Sequence, residues 1–194
     1  PAHAAAVSHG ENMDRNTALE LLKKHVKNEN LVKHCLASEA VMRALAARLG
    51  ADPEVWGLAG LLHDVDAELT AGDLKRHTLE GEKILAANGL PAELVEAVKM
   101  HNEAAHGLKR EKLFHKALAA GETVTGLITA TALVYPDRKL ASVKVSSVVK
   151  RMKDKRFAAS VDRGIIMECE ALGLKLEEFV ELSLGAMLGI APDL

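Results

Sequence analysis

The sequence predicts an all-α protein, a single helical domain of about eight or nine helices. Apolar residues recur with a period near 3.6 along almost the whole chain, and no segment alternates apolar and polar residues as a half-buried strand does. The 194 residues, 48% hydrophobic and 27% charged, suffice for one domain with a substantial core. Because aromatic residues make up only 3%, Leu, Ala, Val and Met have to fill that core.

Start and stop signals place the first three helices. The first is predicted over 17–26, with Asn16 as its N-cap. The second covers 30–49 and ends at Gly50, a residue type favoured just beyond a helix. Asp52-Pro53 supplies an N-cap and a first-turn proline for the third, which ends near His63-Asp64.

Six further helices follow from the same period and from stops at Asn88-Gly89, Tyr135-Pro136 and Gly173. The segment 101–110 breaks the periodicity and is predicted to be a polar loop. The predicted helices cover 73–87, 91–101, 111–134, 142–154, 159–172 and 176–188.

The chain divides into a short tail and one folded unit. Residues 1–13 lack periodicity and are predicted to be a disordered or added tail. Residues 14–140 carry every singled-out histidine and are predicted to form a metal-binding core. Residues 141–194 contain no histidine and are predicted to pack on that core as supporting helices.

The nearly balanced charge of the chain favours a small-molecule partner. A net charge of −2 and a pI near 6.6 argue against a nucleic-acid duplex or an anionic membrane surface as a partner. No apolar run approaches the ~20 residues of a membrane-spanning helix.

Cys35 and Cys169 form no CxxC pattern, which fits a reducing cytoplasm. Leu and Met on the helical surface are compatible with a homodimer.

The doublet His63-Asp64 closes an apolar stretch and is the strongest chemical signal. An imidazole beside a carboxylate forms a chelate for a divalent metal, and an uncompensated carboxylate beside an apolar run would be costly to bury. The small residues Ala59 and Gly60, one turn earlier, allow a metal or another backbone to approach.

Further metal-binding candidates bracket the doublet at helical positions. His34 lies on the inward stripe of the second predicted helix, so it needs a partner. His77 and His101 follow the doublet, and Glu122 lies on a helix face with small neighbours. Glu122 taken alone is equally compatible with a solvent-exposed position. His25 and His115 lie on Lys-rich helices, are predicted to be exposed and receive no role.

This ordered set resembles the HD-domain metal-dependent phosphohydrolase superfamily over roughly residues 17–140, within an HDIG-like branch. The resemblance implies an all-helical fold and a minimal site of His34, His63, Asp64 and Glu122. It also implies that His77 and His101 add a second metal, with Asp64 as the bridge.

Two departures from the family pattern limit the resemblance. The last ligand is usually Asp, whereas Glu122 is one methylene longer, which leaves open whether it binds the metal directly. The doublet is followed by Val65-Asp66 rather than by Ile-Gly-Lys, and no Gly-Tyr-Pro motif follows, which argues against a cyclic-dinucleotide phosphodiesterase.

The predicted activity is hydrolysis of a small phosphomonoester or nucleotide by metal-activated water. Histidines mixed with carboxylates suit one or two ions of Mn, Fe, Co, Ni or Zn. Three carboxylates, Asp64, Asp66 and Glu68, are candidates to position water or to protonate a leaving oxygen. A solvated acidic turn explains Asp66 and Glu68 equally well. Lys109 and Arg110 are candidates to contact the substrate phosphate.

Two alternatives come from other functional classes. The same ligand series suits a mixed-valent di-iron oxygenase that oxidises a C–H bond with dioxygen. A non-catalytic module that binds a metal or nucleotide is the third hypothesis.

Overall fold

A computed structural model describes residues 13–194 of the chain. The α-helices in this range are α1 (Arg15–His25), α2 (Glu29–Leu49), α3 (Pro53–Leu62), α4 (Ala67–Thr70), α5 (Leu79–Ala87), α6 (Ala92–Met100), α7 (Leu113–Leu133), α8 (Val145–Met152), α9 (Arg163–Ile166) and α10 (Leu176–Gly189). Short 3-10 turns cover Glu103–Ala105, Leu140–Ser142, Met167–Leu172 and Ala191–Asp193.

The all-α prediction is confirmed. Residues 13–194 contain no β-strand, and none of the helices they form is both long and apolar enough to cross a membrane. The tail predicted over 1–13 lies outside the described residues except for Met13.

Several helix ends follow the predicted signals. Gly50 and Gly173 adopt left-handed conformations, with φ of 70° and 74°, directly after a helix. The Asp52 side chain accepts from the backbone N–H groups of Glu54 and Val55 and caps α3. The predicted Asn16 cap is wrong because Asp14 takes that role, accepting from the Thr17 N–H at 2.9 Å.

Three predicted helices are shorter than expected, among them the one over 142–154, which is observed as α8, and one helix was missed. The helix predicted from residue 73 begins only at Leu79, because 73–78 forms turns in which Thr78 has φ of 78° and ψ of −30°. The helix predicted over 159–172 consists of the single turn α9 and a 3-10 segment. The single-turn α4 was not predicted.

The long helices α2 and α7 form the centre of the fold, and the other helices pack around them. Two glycines allow unusually close approach. A Cβ on Gly60 of α3 would lie 2.6 Å from the Ser38 carbonyl oxygen of α2, and one on Gly121 of α7 would lie 3.2 Å from Met42 Sδ. The fully buried Phe179 and Val180 of α10 belong to the same core cluster as the residues of α2 and α7.

Candidate metal centre

Six side chains with metal-binding groups converge between the central helices. His34 projects from α2 and Glu122 from α7. His63 and His101 directly follow the last residues of α3 and α6, and Asp64 follows His63. His77 comes from the turn before α5. The structure therefore brings together all the predicted ligands, which are His34, His63, Asp64, His77, His101 and Glu122.

The close crossing of α2 and α3 brings the first two histidines together. Gly60 touches the backbone at Ser38, with a Cβ at Gly60 falling 2.9 Å from the Glu39 nitrogen. His63 lies one turn after Gly60, and His34 lies one turn before Ser38, so the helix contact brings the two rings face to edge at a centroid separation of 4.9 Å.

The four imidazoles form two pairs whose Nε2 atoms face each other. His34 Nε2 lies 3.1 Å from His63 Nε2, and His77 Nε2 lies 3.2 Å from His101 Nε2. His63 and His101 also meet edge to face at 5.1 Å, so the pairs are adjacent.

The Asp64 carboxylate lies between the two pairs and turns one oxygen to each. Oδ2 lies 3.5 Å from His63 Nε2 and 3.7 Å from His34 Nε2. Oδ1 lies 3.3 Å from His77 Nε2 and 3.8 Å from His101 Nε2. One carboxylate can therefore serve two cation positions, one beside each pair.

Two histidines are oriented by backbone carbonyls at helix ends. The Nδ1 of His63 donates to the Gly60 carbonyl at 2.8 Å, and the Nδ1 of His101 donates to the Val98 carbonyl at 2.7 Å. The last carbonyls of a helix have no partner within the helix, so a ring at the helix end can use one of them. The negative ends of the α3 and α6 dipoles also point at the cluster and favour positive charge there.

The other two histidines are oriented by side chains. His77 Nδ1 lies 2.8 Å from Asp66 Oδ1. His34 Nδ1 lies 3.0 Å from the Thr125 hydroxyl, which can accept from the ring while donating to the Glu122 carbonyl at 2.7 Å. All four Nδ1 atoms thus have hydrogen-bond acceptors.

This arrangement fits a divalent cation in each pair. A neutral imidazole whose Nδ1 carries the proton presents an unprotonated Nε2 lone pair. Two such lone pairs at 3.1 or 3.2 Å repel each other unless a proton or a cation lies nearby. Metal-binding histidines commonly use the second ring nitrogen in this way, so the donor set matches a metal centre.

The electrostatics of the cluster favour a cation beside it. Burial lowers the pKa values of His34 and His63 to about 4, so both rings are neutral near pH 7 and could act as ligands. Although burial opposes it, hydrogen bonding to Asp64 and Asp66 raises the pKa of His77 to about 10, so without a metal this ring carries the compensating proton. The pKa of Asp64 is held well below its usual value against burial, chiefly by His63.

Glu122 closes the cluster on the α7 side. Its Oε2 lies 3.7 Å from His34 Nε2, and its Oε1 accepts from the Thr123 hydroxyl at 2.5 Å. Burial raises the pKa of Glu122 to about 8, so the protonated carboxyl group is favoured unless a cation lies nearby. The geometry places it beside the His34 and His63 pair rather than in solvent.

The HD domain family model matches residues 31–131, slightly more than half of the chain. The chain belongs to the HD domain family. In this HD domain the match begins just before His34 and ends beyond Glu122, so it covers the whole metal cluster. A comparison with solved structures finds no match.

The structure corrects the roles predicted for Asp66 and Glu68. Asp66 is fully buried behind His77, and its Oδ2 accepts from the backbone N–H groups of Thr78 and Gly81, at 2.8 and 2.7 Å. Both oxygens are occupied, so Asp66 positions His77 and does not face the space between the pairs. Glu68 is also turned away, because its Oε1 accepts from the Lys27 and Asn28 backbone N–H groups.

Arg110 and Lys109 are likewise committed to protein contacts. The Arg110 side chain is only 6% exposed, pairs with Glu168 and donates to the carbonyls of Met100 and His101. Arg110 therefore stabilises the end of α6 that precedes His101. Its N–H donors are already used and are not free to bind a phosphate. Lys109 pairs with Glu103 on the surface.

Sequence reasoning missed several residues that support the HD domain site. Thr125, Gly60 and Val98 orient histidines, two of them through backbone carbonyls that carry no sequence signal. The positions of His63 and His101 at the ends of predicted helices could have indicated that their rings are oriented by helix-end carbonyls. The predicted exposure of His115 is wrong, because the residue is only 3% exposed and its Nε2 lies 3.8 Å from Glu96 of α6.

Proposed function

We propose that the protein is a metal-dependent phosphohydrolase that cleaves a small phosphomonoester or nucleotide. The observation that carries the proposal is the Asp64 carboxylate, which turns one oxygen to each of two pairs of converging Nε2 atoms. Two adjacent cations that share a carboxylate suit the attacking and leaving oxygens of an in-line displacement.

The first position would use His34, His63, Asp64 Oδ2 and Glu122, and the second would use His77, His101 and Asp64 Oδ1. When bound, such ions lower the pKa of water and neutralise phosphoryl charge. Mixed nitrogen and oxygen donors favour Mn, Fe, Co, Ni or Zn over Mg. The reaction adds the water oxygen to phosphorus, breaks the bond to the ester oxygen, and gives an alcohol and inorganic phosphate.

The protein's own residues supply orientation and charge. Asp64 holds the two positions at a fixed separation, while Asp66, Thr125 and the two helix-end carbonyls fix the ring planes. The second position has fewer protein donors than the first. It therefore has more positions open to water or to a phosphoryl oxygen.

Within the family, the two histidines added between the doublet and Glu122 support placement in an HDIG-like branch. A small phosphorylated compound remains the preferred partner, rather than a nucleic-acid duplex, because the net charge is close to zero.

The first test combines metal content with turnover. The protein is loaded separately with Mn, Co, Ni, Zn or Fe, its metal content is determined, and phosphate release is measured on a panel of phosphomonoesters and nucleotides. We expect about two ions per chain and release that is abolished by His63→Ala. A fully loaded protein that is inert on the whole panel would overturn the proposal.

The same four-histidine set supports a second candidate, a di-iron oxygenase. Two nitrogen pairs that share one carboxylate also suit two iron ions. Selective retention of iron, with substrate-dependent oxygen consumption and no phosphate release, would favour the oxygenase. Tight ligand binding without turnover at any metal loading would favour the non-catalytic module.

A further inference from the structure

A cavity of about 1040 Å³ lies between α2, α7 and the segments that follow α7 and α10. This volume is near the upper end of the range found for sites that hold drug-sized ligands. Its walls are mainly small or apolar, with Ala37, Gly126, Ala130, Leu133 and Leu140 among the lining residues. The cavity therefore has room for an organic group much larger than a phosphate ion.

The cavity borders the metal-binding cluster at His34, which is the one of its lining residues that also belongs to the cluster. Its α2 wall is formed by Asn30, Lys33 and Ala37, on the helix face that carries His34. Its α7 wall begins at Gly126, one turn after Glu122, and continues along the same face to Leu133. A ligand held at the metals would therefore extend along this groove.

The groove carries an excess of positive charge. Lys33, Arg138 and Lys139 line it, whereas no acidic side chain does. Among the described residues these three cations form no ion pair, although other surface lysines pair with carboxylates, as Lys83 does with Glu80. The groove thus combines apolar walls with unpaired cations, which suits an apolar molecule that carries negative charge.

We propose that the substrate is a phosphate monoester of a largely apolar alcohol, with the alcohol lying in this groove. The inference rests on the proposed function, because the phosphoryl group has to lie at the metal pairs for its organic part to reach Ala130 and Leu133. Lys33, Arg138 and Lys139 then attract the anionic ester. Leu133, which is 59% exposed, would be covered by the bound alcohol group.

The test measures chain-length dependence with two ligand series. Hydrolysis is followed on n-alkyl phosphates from methyl to octyl, and calorimetry follows binding of the matching n-alkylphosphonates, whose C–P bond is not hydrolysed. Both use the metal-loaded full chain. Because each buried methylene contributes about 0.8 kcal/mol to binding, we expect affinity and kcat/KM to rise by about fourfold per carbon.

Variants of the groove wall decide whether the dependence arises there. Leu133→Asp places a charge on an exposed position, so the fold should tolerate it, and Ala130→Phe fills the groove. Both should flatten the chain-length series, measured as the ratio of octyl phosphate to methyl phosphate turnover in the same variant, because this ratio cancels any general effect of the added charge. Leu188→Asp, at an exposed leucine outside the groove, and Ala130→Ser, which conserves volume, are the controls. Lys139→Glu should weaken all anionic members, unlike Lys155→Glu at an exposed lysine that does not line the groove.

The outcomes separate this inference from the proposed function. Hydrolysis of methyl phosphate without any chain-length dependence would overturn the groove assignment and leave the hydrolase in place. An equal dependence in wild type, Leu133→Asp and Ala130→Phe would also overturn it. Chain-dependent phosphonate binding that Leu133→Asp removes, in a protein that hydrolyses none of the esters, would support the groove and refute the hydrolase.

Discussion

Asp66 and His77 are joined by a hydrogen bond of 2.8 Å between Oδ1 and Nδ1, and the second oxygen of the same carboxylate holds the backbone on which His77 lies. Thr78 follows His77 with φ of 78°, a conformation unfavourable for a β-branched residue. The N–H groups of Thr78 and Gly81 both donate to Asp66, which stabilises this turn. Asp66 thus positions one half of the metal centre.

We expect Asp66→Asn to weaken metal binding at the His77 and His101 pair by about 10–100-fold while sparing the other pair. An amide has only one acceptor oxygen, so either His77 or the two backbone N–H groups would face an NH2 group. Metal titration should show one tight and one weak ion. The control is Asp73→Asn, at an exposed turn residue whose carboxylate likewise accepts from a backbone N–H, that of Lys75. Two tight ions in Asp66→Asn would contradict the assigned role.

The opposite pattern is expected for Glu122→Gln. Its Oε2 is 3.7 Å from His34 Nε2, and the substitution removes the charge while keeping the shape. The ion beside His34 and His63 should bind at least about tenfold more weakly, with the ion beside His77 and His101 retained. Elemental analysis after dialysis against a weak chelator measures this. Glu111→Gln, at an exposed residue before α7, should behave as wild type, and unchanged retention in both variants would exclude Glu122 as a ligand.

Two glycines on α3 should differ sharply in their tolerance of alanine. At Gly60 the added Cβ would meet the Ser38 and Glu39 backbone at 2.6–2.9 Å, so the helices have to separate, at a cost of about 2–3 kcal/mol in the free energy of unfolding. At Gly57 the nearest atoms to the Cβ belong to the Arg43 side chain, at 2.7–2.9 Å, so a side chain that pairs with Glu39 and Glu54 has to move but no backbone does, and the cost should be smaller.

Chemical denaturation of metal-free Gly60→Ala and Gly57→Ala measures the difference. Metal titration should also show weaker binding in Gly60→Ala, because the same crossing sets the separation of His34 and His63. Equal stability of the two variants would show that the α2 and α3 crossing can relax without cost.

His115 should make stability depend on pH. Its ring is buried, neither nitrogen has a hydrogen-bond partner among the described residues, and burial lowers its pKa despite Glu96 at 3.8 Å. Because the unfolded state then binds the proton more readily, the stabilising contribution is complete above about pH 6.5 and is lost as the pH falls below it.

We therefore expect the free energy of unfolding to fall less between pH 7.5 and 5.5 in His115→Leu than in wild type. Both proteins are measured metal-free, so that the titration of the metal-binding histidines is common to them and cancels in the difference. His25→Leu, at a partly exposed position, is the control for a lost histidine. Identical pH slopes in wild type and His115→Leu would contradict the expectation.

The sequence predicted the helices and the residues of the cluster because both leave periodic signals. The stripe that carries His34 and the doublet at the end of α3 are visible in the order of residue types. The sequence could not predict the turn at Thr78, since a β-branched residue at positive φ violates local preference and depends on the distant Asp66.

The burial of His115 was missed for a related reason. Its neighbours Lys112 and Lys116 suggest an exposed helix face, but Lys112 turns outward to pair with Glu96 while the ring packs beneath. Arg110 was misjudged because its partner Glu168 lies 58 positions later in the chain. Contacts of this kind are set by tertiary packing, and local patterns do not report them.

The division of Asp64 between the two histidine pairs makes the two halves of the centre thermodynamically dependent on each other. A cation bound by one Asp64 oxygen changes the charge and the orientation of the other oxygen. The affinities of the two positions are therefore coupled, and the coupling is reciprocal. The centre should therefore fill and empty with cooperativity, positive or negative, instead of as two separate equilibria. Through the Asp64 side chain, occupancy of the position beside α5 and α6 then changes the affinity for a cation at the position beside α2 and α7.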